Sequence, residues 1–342
     1  MDHSLMEAIV HNLTAPMPLF FILGIIATMI KSDLKIPDAL YIALTLYLLS
    51  AIGIKGGAEI RHVGLLSIYV PVMGCIFLGT SIPVAAYFIL RKWGKFNIHD
   101  AAAVAGHYGS VSAVTFVSAT QFLSQLNITA EGYTSAFLAI FEPTGVIVGI
   151  LMARIALQLK EKEESPEAAV ANRPRDYSWL KTSVHESLTN KGSLILAGSL
   201  VIGFVSGDEG IHVTEAFFGA PFKGILCIFM LEMGLVAGKR LAEIRSVGVF
   251  LVFFGVIIPL LNGFLGVLVG QMSGLSIGGA TLMGVMAASA SYIAAPAAMR
   301  VSLPEANPSL YLTASLGITF PFNIAFGIPI YLWLANHLTT AI

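Results

Sequence analysis

Charge is scarce in this chain. Of its 342 residues only 11% are Asp, Glu, Lys or Arg, whereas a soluble domain carries roughly 25%. So few charges cannot cover a water-facing surface, which excludes a soluble enzyme and a nucleic-acid binder. The net charge of −1 adds nothing to that. Cysteine is almost missing as well: Cys75 and Cys227 both fall inside apolar runs, so they read as small packing residues, with no disulfide framework and no zinc spacing. No Gly-Lys-Ser/Thr phosphate loop, metal spacing of Cys and His, or Gly-x-Ser-x-Gly elbow occurs, which argues against an ATP-driven pump and implies no organic cofactor. The stretch Met1 to Thr14 holds Asp2 and Glu7 but no Lys or Arg. That is the wrong charge for a cleaved signal peptide, so the first span is expected to be retained.

What the chain does have is apolar length. Hydrophobic residues make up 56% and mean hydropathy is +0.82. The runs are long and lack period-two alternation, which predicts an all-α integral membrane protein rather than a β-barrel. At about 20 residues per span, ten spans are expected, near 8–30, 36–54, 64–91, 99–122, 133–159, 191–206, 216–238, 247–271, 276–299 and 309–336.

Cytoplasmic loops accumulate Lys and Arg. With the N-terminus outside, 16 of the 19 basic residues fall inside, from Lys31 to Arg300, and only Lys55, Arg61 and Lys223 lie opposite. This predicts a multi-pass protein of the inner (plasma) membrane with both termini outside. The polar stretch 160–190 then lies inside as a linker, either a solvated tether or a regulatory docking site.

The linker separates 1–159, with spans 1–5, from 191–342, with spans 6–10, and the halves echo each other. Ala58-Glu59-Ile60-Arg61 with Val63-Gly64 recurs as Ala242-Glu243-Ile244-Arg245 with Val247-Gly248. Ser110-Val111-Ser112 recurs loosely as Ser289-Ala290-Ser291, and Pro143 with Gly149-Ile150 as Pro321 with Gly327-Ile328. An odd number of spans per half inverts the second copy. Two inverted five-helix repeats, a frequent device of secondary transporters, are therefore expected.

Spans 4 and 9 are rich in small and hydroxylated residues. If both break at mid-membrane and cross, their half-helix N-termini aim free backbone N–H groups at one point, where an anion can sit without a buried Lys or Arg. Gly109, Ser110, Ser112, Ser289, Ala290, Ser291 and Tyr292 are the substrate-binding candidates. Close helix packing is the competing account of the glycines and alanines. Glu142, in the middle of span 5 before Pro143, would cost several kcal/mol at that depth unless paired. A sodium ion held by Glu142, Ser112, Thr115 and Asn323 would offset that cost, and so would protonation. Glu232 in span 7 is a weaker candidate of the same kind. His107 is either a proton-coupling group or a satisfied core histidine.

At these residues the chain resembles the sodium-dependent bicarbonate transporter family known from cyanobacteria. The likeness lies in Met286-Ala287-Ala288-Ser289-Ala290-Ser291-Tyr292-Ile293, then Pro296, Arg300, Pro304 and Ala306-Asn307-Pro308-Ser309-Leu310-Tyr311, running on to Pro321 and Ile328-Pro329. Gly53, Gly56 to Arg61, Gly106, Gly109, Val111, Ser112, Thr115 and Glu142 add to it. The resemblance implies a core domain of spans 3–5 and 8–10, a gate domain of spans 1, 2, 6 and 7, and a homotrimer. It also implies bicarbonate and sodium bound where spans 4 and 9 cross, and a PII-like cytoplasmic regulator. The chain departs from the family's pattern at Tyr292, where the family has an aspartate, at Ala295-Pro296-Ala297 in place of Gly-Pro-Pro, and in a shorter central linker.

Three functions follow for test. The first is sodium-coupled symport of bicarbonate or another small anion by alternating access. The second is proton-coupled carriage of a different small solute through His107 and Glu142. The third is a receptor or scaffold that no longer transports.

Overall fold

The computed structural model describes residues 3–164 and 178–339, and every regular element in them is helical. In chain order the main ones are α1 (His3–Thr14), α2 (Pro16–Met29), α3 (Asp38–Val63), α4 (Tyr69–Lys92), α5 (Ile98–Gly109), α6 (Ala113–Gln125) and α7 (Ser135–Glu164). After the undescribed residues come α8 (Ser178–Thr189), α9 (Lys191–Thr214), α10 (Phe222–Ala242), α11 (Val249–Met272), α12 (Ile277–Ala288), α13 (Ala295–Ser302) and α14 (Pro308–Leu338). Of the expected linker 160–190, residues 165–177 lie outside the described residues. Its far end is α8, which packs against α7, α9 and α13.

The expectation of ten spanning helices in two inverted five-helix repeats is overturned. Among the described residues six helices are long and apolar enough to cross a membrane: α3, α4, α7, α9, α11 and α14. A seventh is added only if α1 and α2 count as one span, and they meet at a bend of 65°. The cause of that bend is Pro16, whose ring forces Ala15 into extended backbone (φ −70°, ψ 149°). Expected spans 4 and 9 each divide into two pieces. The 12 residues of α5 and of α12 reach only about 18 Å at 1.5 Å per residue, well short of a hydrocarbon layer of about 30 Å. Expected span 7 is α10, which carries Lys223, Glu232, Lys239 and Arg240 within 21 residues. Six or seven spans do not divide into five and five. The tetrapeptide echo has only a local counterpart: Gly64 and Gly248 share one left-handed conformation (φ 84° and 83°).

Packing follows the small residues. The most extensive pairings are α3 with α9, α2 with α10, α11 with α12, and α5 with both α4 and α7. At the first of these, a side chain on Gly57 would overlap the carbonyl oxygen of Leu200, and one on Gly203 would overlap that of Ile54. The two backbones therefore touch, which is how helices gain dispersion contact in a medium as apolar as their own side chains. Large apolar side chains such as Leu66, Phe77, Val201, Val205, Val249 and Phe253 point outward. Lipid is the solvent that such a surface suits.

α5, α7 and α12 lie in the interior, with Ala101 to Ala105, Phe137, Phe141, Met283 and Val285 buried. This buried packing surrounds the two interruptions described next.

Candidate functional site

Both divided helices begin at a cap and stop at a serine. Asn97 caps α5 by accepting the Asp100 amide (2.8 Å), and Ser276 caps α12 by accepting the Gly279 amide (3.1 Å). At the inner ends, Ser110 (φ −94°, ψ 176°) and Ser289 (φ −85°, ψ 165°) take extended backbone. Helix resumes behind further serines: Ser112 Oγ accepts the Thr115 amide (3.2 Å) at the start of α6, and Ser291 Oγ accepts the Ala295 amide (3.3 Å) at the start of α13. Serine favours these positions because its short hydroxyl competes for backbone groups that a helix would otherwise pair.

The two interruptions are bonded to one another. The Ser112 amide donates to Ser289 Oγ (3.0 Å), and the Ser291 amide donates to the carbonyl oxygen of His107 (2.8 Å). Each break therefore satisfies an amide from the other. α7 presses on the first break from behind, where a side chain on Gly145 would overlap the backbone of Gly109 and Ser110. The space in front of Gly109 is filled by the Pro83 ring of α4.

The outer ends are tied in the same crosswise manner. Asp100, in the first turn of α5, accepts the amide of Asn307 (2.7 Å), which lies in the loop after α13. Glu131, in the loop after α6, accepts both the amide (2.7 Å) and the hydroxyl (3.1 Å) of Ser276 at the start of α12. Neither carboxylate figures among the candidates read from the sequence. The local signal for Asp100 was the Asn97-x-x-Asp100 spacing of a capping box; Glu131 has none, since its partner is 145 residues away.

Hydrogen-bond accounting separates the serines. Ser110 donates to the Glu142 carbonyl oxygen (3.0 Å) and Ser289 to that of Met286 (2.8 Å), so both protons are committed to backbone. Ser112 and Ser291 serve their caps through lone pairs, which leaves their protons for another acceptor. The Tyr292 hydroxyl is buried and makes no well-formed hydrogen bond; the Ser112 side chain is beside it. Its ring is held edge-on by Phe320, itself edge-on to Phe21 of α2, both at 5.2 Å. Ala113 and Val114, the first residues of α6, have amides that helix geometry leaves without an intrahelical carbonyl. The start of α13 offers less: Pro296 has no N–H, and the Ala297 amide is taken by the Ala294 carbonyl (3.2 Å). The Ser112 and Tyr292 hydroxyls thus lie together at the positive end of α6, and the Ser291 hydroxyl stands at the second break.

A family model, the Na+-dependent bicarbonate transporter superfamily, matches residues 16–336. The chain belongs to that superfamily. No curated protein matches it. Membership makes it a multi-pass membrane transport protein and not an enzyme, and the superfamily match runs through both breaks and both crosswise ties.

Within the superfamily frame, the sequence candidates fall into groups. Ser112, Ser289, Ala290, Ser291 and Tyr292 are buried together at the crossing. Gly109 and Ser110 face α4 and α7 instead. Of the four oxygen-bearing residues expected to hold sodium, three have side chains engaged with different partners. Ser112 caps α6, the Glu142 carboxylate accepts from Ser193 Oγ of α9 (3.0 Å), and Asn323 donates to the Ala288 carbonyl (2.9 Å) while accepting from Tyr331 (3.0 Å). Thr115 is buried in the first turn of α6. Among the described residues no three His, Cys, Asp or Glu side chains gather as a metal site. His107 is fully buried and stacked on Tyr311 (4.4 Å), with Nδ1 donating to the Ala103 carbonyl (2.7 Å) and Nε2 without a partner.

Proposed function

We propose that this protein is a sodium-coupled symporter of bicarbonate or a similar small oxyanion, working by alternating access. The observation that carries the reading is the Ser112–Ser289 bond, because it sets the N-terminus of α6 beside the second break inside the protein. An anion at that point meets the Ala113 and Val114 amides and the hydroxyls of Ser112, Ser291 and Tyr292. No buried Lys or Arg is needed, because aligned peptide dipoles supply the positive potential. Sodium travels as co-substrate, as the superfamily's description implies. A homotrimer in the inner membrane belongs to the same proposal and rests on the family. A PII-like regulator would meet the linker 160–190, of which residues 165–177 lie outside the described residues.

The deciding experiment is labelled bicarbonate uptake into proteoliposomes under an inward sodium gradient. Uptake that stops when choline replaces sodium supports the proposal. A second reading, proton coupling through His107, has one observation in its favour, the buried and unpartnered Nε2. Uptake driven by a proton gradient without sodium, and lost in His107→Gln, would select it.

A further inference from the structure

Glu142 has two faces. Its backbone carbonyl accepts the Ser110 hydroxyl (3.0 Å) at the first break. One turn further along α7, Gly145 lies against Gly109 and Ser110. Its carboxylate points the other way, out of the α4–α5–α7 cluster and onto the start of α9, the helix that pairs along its length with α3.

The start of α9 is built to receive it. Asn190 caps the helix, accepting the Ser193 amide (3.0 Å) and donating to Ser193 Oγ (2.8 Å) and to the Ser187 carbonyl (2.7 Å). Ser193 Oγ, which accepts from Asn190, has one proton to give, and that proton goes to Glu142 Oε2 at 3.0 Å. Glu142 Oε1 lies 4.0 Å from where a Cβ on Gly192 would stand, in the first turn of α9. A carboxylate at a helix N-terminus is stabilised by the macrodipole and by unpaired first-turn amides. This accounts for an acidic side chain deep in an apolar helix without any ion.

The contact joins two groups of helices. α7 packs with α4 and α5, whereas α9 packs with α3; the groups also meet where Gly56 and Glu59 of α3 lie against Ser135 and Gly132 at the start of α7. We infer that Glu142 is a positioning residue, a carboxyl latch that holds the first break against the start of α9 in the described state and must let go for the other state to form. This rests on the alternating-access reading for its consequence, while the latch itself can be tested without transport.

Two variants of the full-length chain test it: Ser193→Ala, which removes the donated bond, and Glu142→Gln, which keeps an acceptor and removes the charge. Hydrogen exchange read by mass spectrometry should rise at least about threefold in residues 190–195 in both, with residues 277–288 of α12 unchanged. In sodium-driven bicarbonate uptake, Ser193→Ala should raise the maximal rate by about two- to fivefold, the worth of one ordinary hydrogen bond. The half-saturating concentrations of bicarbonate and sodium should stay within about twofold. Unchanged exchange at 190–195 overturns the latch. So does a tenfold rise in half-saturating sodium in Glu142→Gln at unchanged maximal rate, which makes Glu142 a sodium ligand. If the native protein shows no uptake, the symporter reading fails, and the exchange measurement still decides the latch.

Discussion

The Ser112 amide and the Ser289 hydroxyl, 177 residues apart in sequence, share a 3.0 Å hydrogen bond at the point where two interrupted helices cross. Ser289 accepts that amide while donating to its own helix at Met286, so it holds both breaks at once. Ser289→Ala leaves a buried N–H without an acceptor, a loss of ~1–3 kcal/mol. Thermal unfolding in detergent should show a lower midpoint for Ser289→Ala than for Ser289→Thr, which keeps the hydroxyl. Equal midpoints would mean that the bond contributes nothing.

Asp100 and Asn307 make the corresponding tie at the outer end of α5. Removing the carboxylate strands the Asn307 amide and the Asn97 side chain together. Asp100→Ala should lower stability by ~2–3 kcal/mol, as for loss of a bond to a charged group, and Asp100→Asn should recover part of it. Chemical unfolding curves of the two variants against the native chain give the comparison.

Two glycines in apolar helices provide a contrast. Gly145→Ala drives a methyl group into the Gly109 backbone, so yield or uptake should fall sharply. Gly198→Ala meets nothing within 4 Å; it should be neutral or stabilising by ~0.5–1 kcal/mol through better helix propensity. If both variants behaved alike in yield and thermal midpoint, the contact at the first break would not matter.

The class of the molecule was legible because hydropathy is a bulk property: few charges and long apolar runs leave lipid as the only fitting solvent. The count of spans was not. The small and hydroxylated residues of runs 99–122 and 276–299 do point to breaks, but each run still counts as a span by length, whereas the extended backbone at Ser110 and Ser289 leaves helices too short to cross. Run 216–238 looks apolar until the charges of α10 are placed on one helix with it. At the site, the serines stood out by composition, but their roles did not. Ser110 and Ser112 are two residues apart, and only the fold decides that one proton is committed to the Glu142 carbonyl and the other is not. The Glu142 partner was invisible for a simpler reason, since Ser193 lies 51 residues away across the linker.

Tyr292 stands where the resembled family has an aspartate, and its clamped ring separates packing from chemistry. Tyr292→Phe keeps the edge-on contact with Phe320 and removes only the hydroxyl. The thermal midpoint should stay within about a degree or rise, because an unpaired buried hydroxyl is a cost. Half-saturating bicarbonate should increase at least about tenfold, the lower end of what one donor to a charged oxygen contributes, ~1.5–3 kcal/mol. An unaltered half-saturation would remove Tyr292 from the passenger's surroundings.

Ser112 stands at the head of α6, beside Tyr292 and across from Ser289, so its hydroxyl is where the account is most exposed. Labelled bicarbonate uptake into proteoliposomes with and without sodium, compared between the native chain and Ser112→Ala, is the most direct measurement. The account predicts sodium-dependent uptake whose half-saturating bicarbonate concentration rises about tenfold when the hydroxyl is lost. Uptake that ignores sodium, or a Ser112→Ala curve superimposable on the native one, would contradict it.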